Sequence, residues 1–121
     1  MKIGLIISSL NSKYLKNPNL LSVCDLFDNH VIVNQGINSE KILNHDLNII
    51  NDSKVGLSNS RNKGIKYLIN KVDAIVISDD DFIPVKDFRI KLENLKSLYK
   101  SYPNRCILLK SKDLKGQYRK H

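Results

Sequence analysis

Long apolar runs are missing from this chain: nothing in it approaches the roughly 20 consecutive apolar residues of a membrane-spanning helix, so any membrane contact would be peripheral. Cysteine is scarce. Cys24 and Cys106 stand far apart without C-x-x-C spacing, which argues against a zinc site or a redox pair and leaves both as expected buried thiols of a reducing compartment. Internal repeats, low-complexity tracts and linker-like shifts in composition are absent too, and one domain is the expected organisation. A secretory leader is also not indicated. Lys2 precedes an apolar stretch from Ile3 to Leu10, but Gly4, Ser8 and Ser9 interrupt it and it meets Asn11, Ser12 and Lys13 with no plausible cleavage site. The expected location is the cytoplasm, or at most the cytoplasmic face of a membrane.

What is present is a chain of 121 residues, 41% hydrophobic and 26% charged, with a composition that folds. The net charge of +8 biases the partners toward phosphate-bearing ones. Nucleic acid, an anionic membrane and a nucleotide diphosphate all satisfy that bias, and so does a merely soluble basic surface.

Apolar runs at Ile3 to Ile7, Val31 to Val33, Leu47 to Ile50, Ala74 to Ile77 and Cys106 to Leu109 predict strands. Between them, helical spacing predicts a short helix from Leu20 through Phe27 to near Asn29, and a further short one near Glu40 to Leu43. Another helix is expected from a Ser58 or Asn59 cap to about Asn70, with Ile65, Leu68 and Ile69 on its core face. Phe88, Leu92, Leu95 and Tyr99 mark one face of a helix that begins after Pro84 and ends before Tyr102 and Pro103. Alternating strands and helices predict an α/β domain over residues 1–109, with an open, mostly parallel sheet and helices on both faces; a basic tail follows over 110–121.

The apolar strand Ala74 to Ile77 looks central and stops at Asp79-Asp80-Asp81, the address at which parallel sheets bind ligands. Two carboxylates about 4 Å apart repel by about 4 kcal/mol at an effective dielectric near 20, and a cation relieves that repulsion. In extended backbone Asp79 and Asp81 share a side and Asp80 points oppositely. Mg²⁺ or Mn²⁺ typically takes one or two carboxylates, with water and substrate phosphates completing the shell. The alternative is a solvated acidic turn favouring the N-terminus of the next helix.

The stretch GLSNSRNKGI, Gly56 to Ile65, places Gly64 inside an expected helix, where glycine costs up to about 1 kcal/mol relative to alanine, so something must approach closely there. Arg61 and Asn62 are expected in the first turn, near unpaired N–H groups that suit an anion, although a solvated Arg61 satisfies the same pattern. The three histidines, His30, His45 and His121, are scattered and read as surface or terminal residues.

Together GLSNSRNKGI, then KYLINKVD, then AIVISDDDFIP resemble family 2 glycosyltransferases, inverting enzymes of the GT-A fold, which carry G-x-S-x-x-R-N-x-G-I, a helix, and a strand ending in D-x-D with a proline shortly after. The likeness is close over Gly56 to Pro84 and extends in element order over Met1 to Leu109. It implies a GT-A, Rossmann-like fold. It also implies a nucleotide-diphospho-sugar donor, a UDP-sugar first among them, contacted by Ser8, Asn11, Gln35, Ser58, Arg61, Asp79 and Asp80. Asp79 and Asp81 would serve an Mn²⁺ or Mg²⁺ cofactor, and a glycan or lipid-linked acceptor would take the sugar.

The chain departs from the family at Ser8-Ser9-Leu10-Asn11, where relatives have a P-x-Y-N-like turn, and at Asn34-Gln35-Gly36-Ile37-Asn38, where they commonly have D-D-x-S; an amide at Gln35 can still meet a base edge. Relatives place the acceptor site and catalytic base in a C-terminal half, so a missing half or partner chain is expected and no catalytic residue is assigned. A non-catalytic nucleotide-sugar-binding or assembly fragment is the competing reading. A Toprim-like nucleic-acid module would need a glutamate after an earlier strand, and neither Ile7-Ser8-Ser9 nor Val33-Asn34-Gln35 supplies one.

Overall fold

Strand order follows from where the apolar runs lie and how the helices between them cross. The computed structural model describes residues 1–36 and 46–101. Its strands are β1 (Ile3–Leu10), β2 (Asn29–Gln35), β3 (Ile49–Asp52) and β4 (Ala74–Asp79), all parallel, in the order β3-β2-β1-β4. Helix α1 (Leu20–Asp25) joins β1 to β2, α2 (Leu57–Leu68) joins β3 to β4, and α3 (Phe88–Ser101) follows. The first crossover steps from β1 to β2, whereas the α2 crossover passes back beyond β1. Right-handed crossovers in opposite directions put their helices on opposite faces. The expected open α/β sheet is therefore present.

β1 is buried from Ile3 to Ser9 without alternation, because both of its faces are covered. Its even positions lie under α2. Gly4 sits against Leu68, Ile6 against Gly64, and Ser8 Oγ is 2.9 Å from Ser60 Oγ. The match is geometric: four residues of helix rise about 6 Å and two residues of strand about 6.6 Å, so helix positions 60, 64 and 68 fall in step with strand positions 8, 6 and 4. Ile6, Val31 and Leu68 form the centre of this layer, with Ile50, Ile65, Tyr67, Val72 and Ile75 packed around it. At Gly64 a β-carbon would lie 2.6 Å from Ile6 Cγ2. The close approach that the sequence demands at this glycine is made by the sheet itself.

Several expectations are corrected. β4 is not central among the described residues: it pairs with β1 alone, and its residues are half-buried or exposed. Helix α1 stops at Asp25, because Asp28 and Asn29 already join the sheet: the Asp28 N–H donates to Ile3 O and the Ile3 N–H to the Asp28 carboxylate. Neither Ser58 nor Asn59 caps α2; Gly56 is the N-cap, with no side-chain cap bond, and both residues lie within the first turn. Arg61 and Asn62 consequently sit one turn further in, past the unpaired N–H groups. Leu68 is buried as expected and Ile65 packs against the core, but Ile69 is 60% exposed, and Ser60 and Gly64 complete the buried face of α2.

His30, expected at the surface, is buried on β2. Its Nε2 accepts the Asn48 N–H at 3.1 Å, and the Asn48 amide donates to His30 O. Burial lowers its pKa from the ordinary 6.5, with Asp25 opposing the shift. Cys24 is buried as expected, and burial, assisted by Asp25, pushes its thiol up to about 12.

The chain divides into two compact units, Met1–Arg89 and Ile90–His121. The first holds the sheet, together with an aromatic group in which Phe88 packs on Phe27 at 6.0 Å and edge-on to Phe82 at 5.4 Å. Within the second, the described residues are those of α3, where Lys96 pairs with Glu93 at 3.3 Å. The helix starts at Phe88 rather than just after Pro84, its first turn preceded by a Phe88 N–H to Val85 O bond. The expected helix at 40–43, the fifth strand at 106–109, the tail at 110–121, Ile37, Asn38, His45, Cys106 and His121 lie outside the described residues. Among the described residues no helix is long and apolar enough to cross a membrane.

Candidate functional site

Parallel pairing brings the carboxyl ends of all four strands to one edge, and register sorts their side chains between its faces. Ser8 pairs with Asp79 and with Val33, and Leu10 with Gln35, which pairs in turn with Asp52. Ser8 touches α2, so Asp79, Gln35 and Asp52 belong to the α2 face. Ser9, Asn34 and Asn51 belong to the opposite face, and Asp80 turns toward it. Between β1 and β4 the chain direction of the crossovers reverses, which makes the ends of these two strands the topological switch point where such sheets bind ligands.

On the α2 face, Asp52 organises the start of the helix. Its Oδ1 accepts the Lys54 N–H at 3.0 Å; its Oδ2 accepts Asn59 Nδ2 and Lys63 Nζ, each at 2.7 Å. These donors, Lys63 foremost, hold the carboxyl down at about 2. The Gln35 side chain ties the same region from β2: Oε1 accepts the Gly56 N–H at 2.7 Å and Nε2 donates toward Ser9 O at 3.5 Å. Gln35 is buried, its amide used within the fold rather than offered to a base. Ser8 is likewise buried and bonded to Ser60.

On the opposite face, Asn34 spans two walls. It accepts the Ser12 N–H at 2.8 Å and donates to Ser12 Oγ and Asn51 Oδ1, each at 3.1 Å. The turn it holds contains two consecutive left-handed residues, Asn11 at φ 50° and Ser12 at φ 61°, and Asn11 lies across Gly36, itself at φ 87°. A β-carbon at Gly36 would run into Asn11 Oδ1, so both φ and space require glycine. At the carboxyl ends of β1, β2 and β3, drawing on side chains of both faces, lies an open cleft of about 860 Å³ lined by Leu10, Asn11, Gly36, Asn51, Asp52, Ser53 and Val55. Its volume is in the range of small-molecule sites.

The acidic run lies at the β4 end of the same edge, apart from the cleft lining. Asp80 is held: Ser9 Oγ donates to its Oδ2 at 2.8 Å. Asp79 and Asp81 are exposed, and their carboxylates make no hydrogen bond or ion pair among the described residues. Arg61 on α2 is exposed and equally unengaged, and Ser58 is exposed. Among the described residues no three His, Cys, Asp or Glu side chains gather closely enough to hold a metal ion between them. Asp79 closes β4 and Asp81 lies in the turn after it; carboxylate oxygen is the donor type of which Mg²⁺ and Mn²⁺ take one or two, with water and phosphate completing the shell.

Of the expected contacts, then, Ser8 pairs with Asp79 across β1 and β4 and Asp80 bonds the neighbouring Ser9, whereas Asn11 lies across Gly36 in the cleft lining, Gln35 is internal, and Ser58 and Arg61 stand on α2. Sequence reasoning missed Asp52, Asn34, Asn51, Ser9 and Asn17. A signal for Asn34 existed, since an amide inside an apolar buried strand must find partners. Compared with models of known families, with curated proteins and with solved structures, the chain matches none, and what the structure establishes is an α/β domain on a four-stranded parallel sheet.

Proposed function

We propose that this domain binds a nucleotide-diphospho-sugar across the carboxyl edge of its sheet, with Mn²⁺ or Mg²⁺ at Asp79 and Asp81, for transfer of the sugar to an acceptor hydroxyl. The observation that carries the reading is the pairing of Ser8 with Asp79 while Ser8 bonds Ser60. It sets at the switch point a carboxylate that, like Arg61 on α2 above the same face, has no bonding partner among the described residues. The resemblance of GLSNSRNKGI and AIVISDDDFIP to family 2 glycosyltransferases supports the same assignment.

In this reading the base and ribose occupy the cleft beside Asn11, Asn51 and Asp52, and the diphosphate runs toward β4. Strands about 4.8 Å apart make the three steps from β3 to β4 roughly 14 Å, a span suited to a nucleoside diphosphate. A bound divalent cation supplies Lewis-acid neutralisation of charge on the departing diphosphate. Asp79 and Asp81 hold and orient that centre, and Arg61 offers a guanidinium to the phosphates. The geometry assigns no general base, so donor turnover by this chain alone separates catalysis from binding without transfer to a glycan or lipid-linked acceptor.

Calorimetric titration with UDP-sugars and GDP-sugars, with and without Mn²⁺, tests the reading on the wild type and Asp81→Ala. Binding is expected to require the metal and to weaken about tenfold in the variant, the order for losing a charge-assisted ligand. Equal binding by both proteins removes the acidic run from the account.

A further inference from the structure

Resting on that reading, we propose that Asp80 is a positioning residue: with Ser9 and Asn17 it pins the loop that presents Asp79 and Asp81, and does not itself touch nucleotide or cation. The direction of the Ser9 bond is fixed by chemistry. Ser9 Oγ accepts the Tyr14 N–H at 2.9 Å, and its single hydroxyl proton goes to Asp80 Oδ2 at 2.8 Å. Ser9 is only 2% exposed, so water does not compete for that proton. The Asn17 amide grips the backbone on both sides of Asp81, donating to Asp80 O at 3.2 Å and to Phe82 O at 3.1 Å. Its own oxygen accepts the Asn19 N–H at 3.0 Å, which fixes which way the amide faces. The Phe82 ring then closes edge-on against Phe88.

The loop is therefore tied at the Asp80 side chain, at two carbonyls and at one ring, while the flanking carboxylates make no bond among the described residues. A carboxylate already engaged with a buried hydroxyl is poorly placed to turn outward. Two unengaged ones on a restrained loop meet an incoming cation with little ordering left to do.

The test compares Asp80→Asn, Asp80→Ala and Asp81→Asn by amide hydrogen exchange over residues 79–84 and by UDP titration in Mn²⁺. Asparagine at position 80 keeps an oxygen for the Ser9 hydroxyl, so Asp80→Asn is expected to exchange and bind like the wild type. Asp80→Ala is expected to speed exchange and to weaken binding by on the order of tenfold, as loss of an outer partner does at metal sites. Asp81→Asn is expected to lose binding with exchange unchanged. If Asp80→Asn loses binding as Asp81→Asn does, Asp80 is a ligand and the proposal fails; if Asp80→Ala exchanges like the wild type, there is no pin. Absence of UDP binding by the wild type would overturn the proposed function, and the exchange rates would still decide whether the loop is pinned.

Discussion

Replacing Gly64 by alanine adds one carbon at the narrowest point between α2 and β1. That carbon would lie 2.6 Å from Ile6 Cγ2 and 2.9 Å from both Cγ1 and Cδ1, where ordinary contact begins at 3.4 Å. Rotation of Ile6 gives no relief, because Cγ1 and Cγ2 branch from the same atom and turning one away brings the other in. Ile6 is fully buried between Val31 and Leu68, so the helix must shift outward instead. Alanine gains about 1 kcal/mol of helix propensity over glycine, whereas overpacking a core costs about 1–3 kcal/mol. The net expectation is destabilisation of up to about 2 kcal/mol, read as a lower urea midpoint with unchanged slope. Ile6→Ala alone should cost about 2–5 kcal/mol by leaving a cavity. The double variant should be at least about 1 kcal/mol more stable than the sum of the two, since the new methyl enters the space Ile6 vacates. A Gly64→Ala protein more stable than the wild type, or strict additivity in the double variant, would refute the close helix-to-strand contact.

Gly36→Ala should destabilise by about 1–2 kcal/mol from the left-handed backbone, plus the clash with Asn11, while alanine at Gly56 meets only the Asn59 Cβ at 3.7 Å and should cost less; urea titration ranks them. Acid should loosen the start of α2: with Asp52 held at about 2 in the folded protein against an ordinary 3.8, its stabilisation is complete above pH 4 and disappears as pH falls toward 2. Asp52→Asn should flatten that part of the pH–stability curve. His30 has a lowered folded pKa and prefers the neutral form, so its contribution is full above about 6.5 and declines as pH drops below it. His30→Gln should remove this acid dependence, seen as melting curves that converge between pH 7 and pH 5; an unchanged difference would count against the buried acceptor role.

Much of the fold was legible because β1 and α2 carry their reasons in single residues. An uninterrupted apolar run signalled burial on both faces, and Gly64 inside a helical pattern signalled close approach. The acidic run could be placed at a strand end from Ala74 to Ile77 alone. What stayed hidden depended on register. Whether Gln35 faces a ligand or α2 is decided by its pairing with Leu10 and Asp52, a long-range fact that no local pattern contains. His30 looked like an isolated polar residue because its partner, the Asn48 N–H, becomes its neighbour only when β3 docks on β2. Asp52 looked like turn chemistry for the same reason, since Lys63 reaches it only once α2 folds back over the sheet.

The most direct test of the central claim is amide NMR of the domain with UDP and substoichiometric Mn²⁺, whose unpaired electrons broaden nearby resonances. The account predicts nucleotide-dependent loss of the Ser8, Ser60 and Asp79 to Phe82 signals, with those of Asp28 and Lys71, at the other edge of the sheet, unaffected. Broadening centred elsewhere, or the same broadening without UDP and in Asp81→Ala, would contradict a cation shared between the acidic run and a diphosphate.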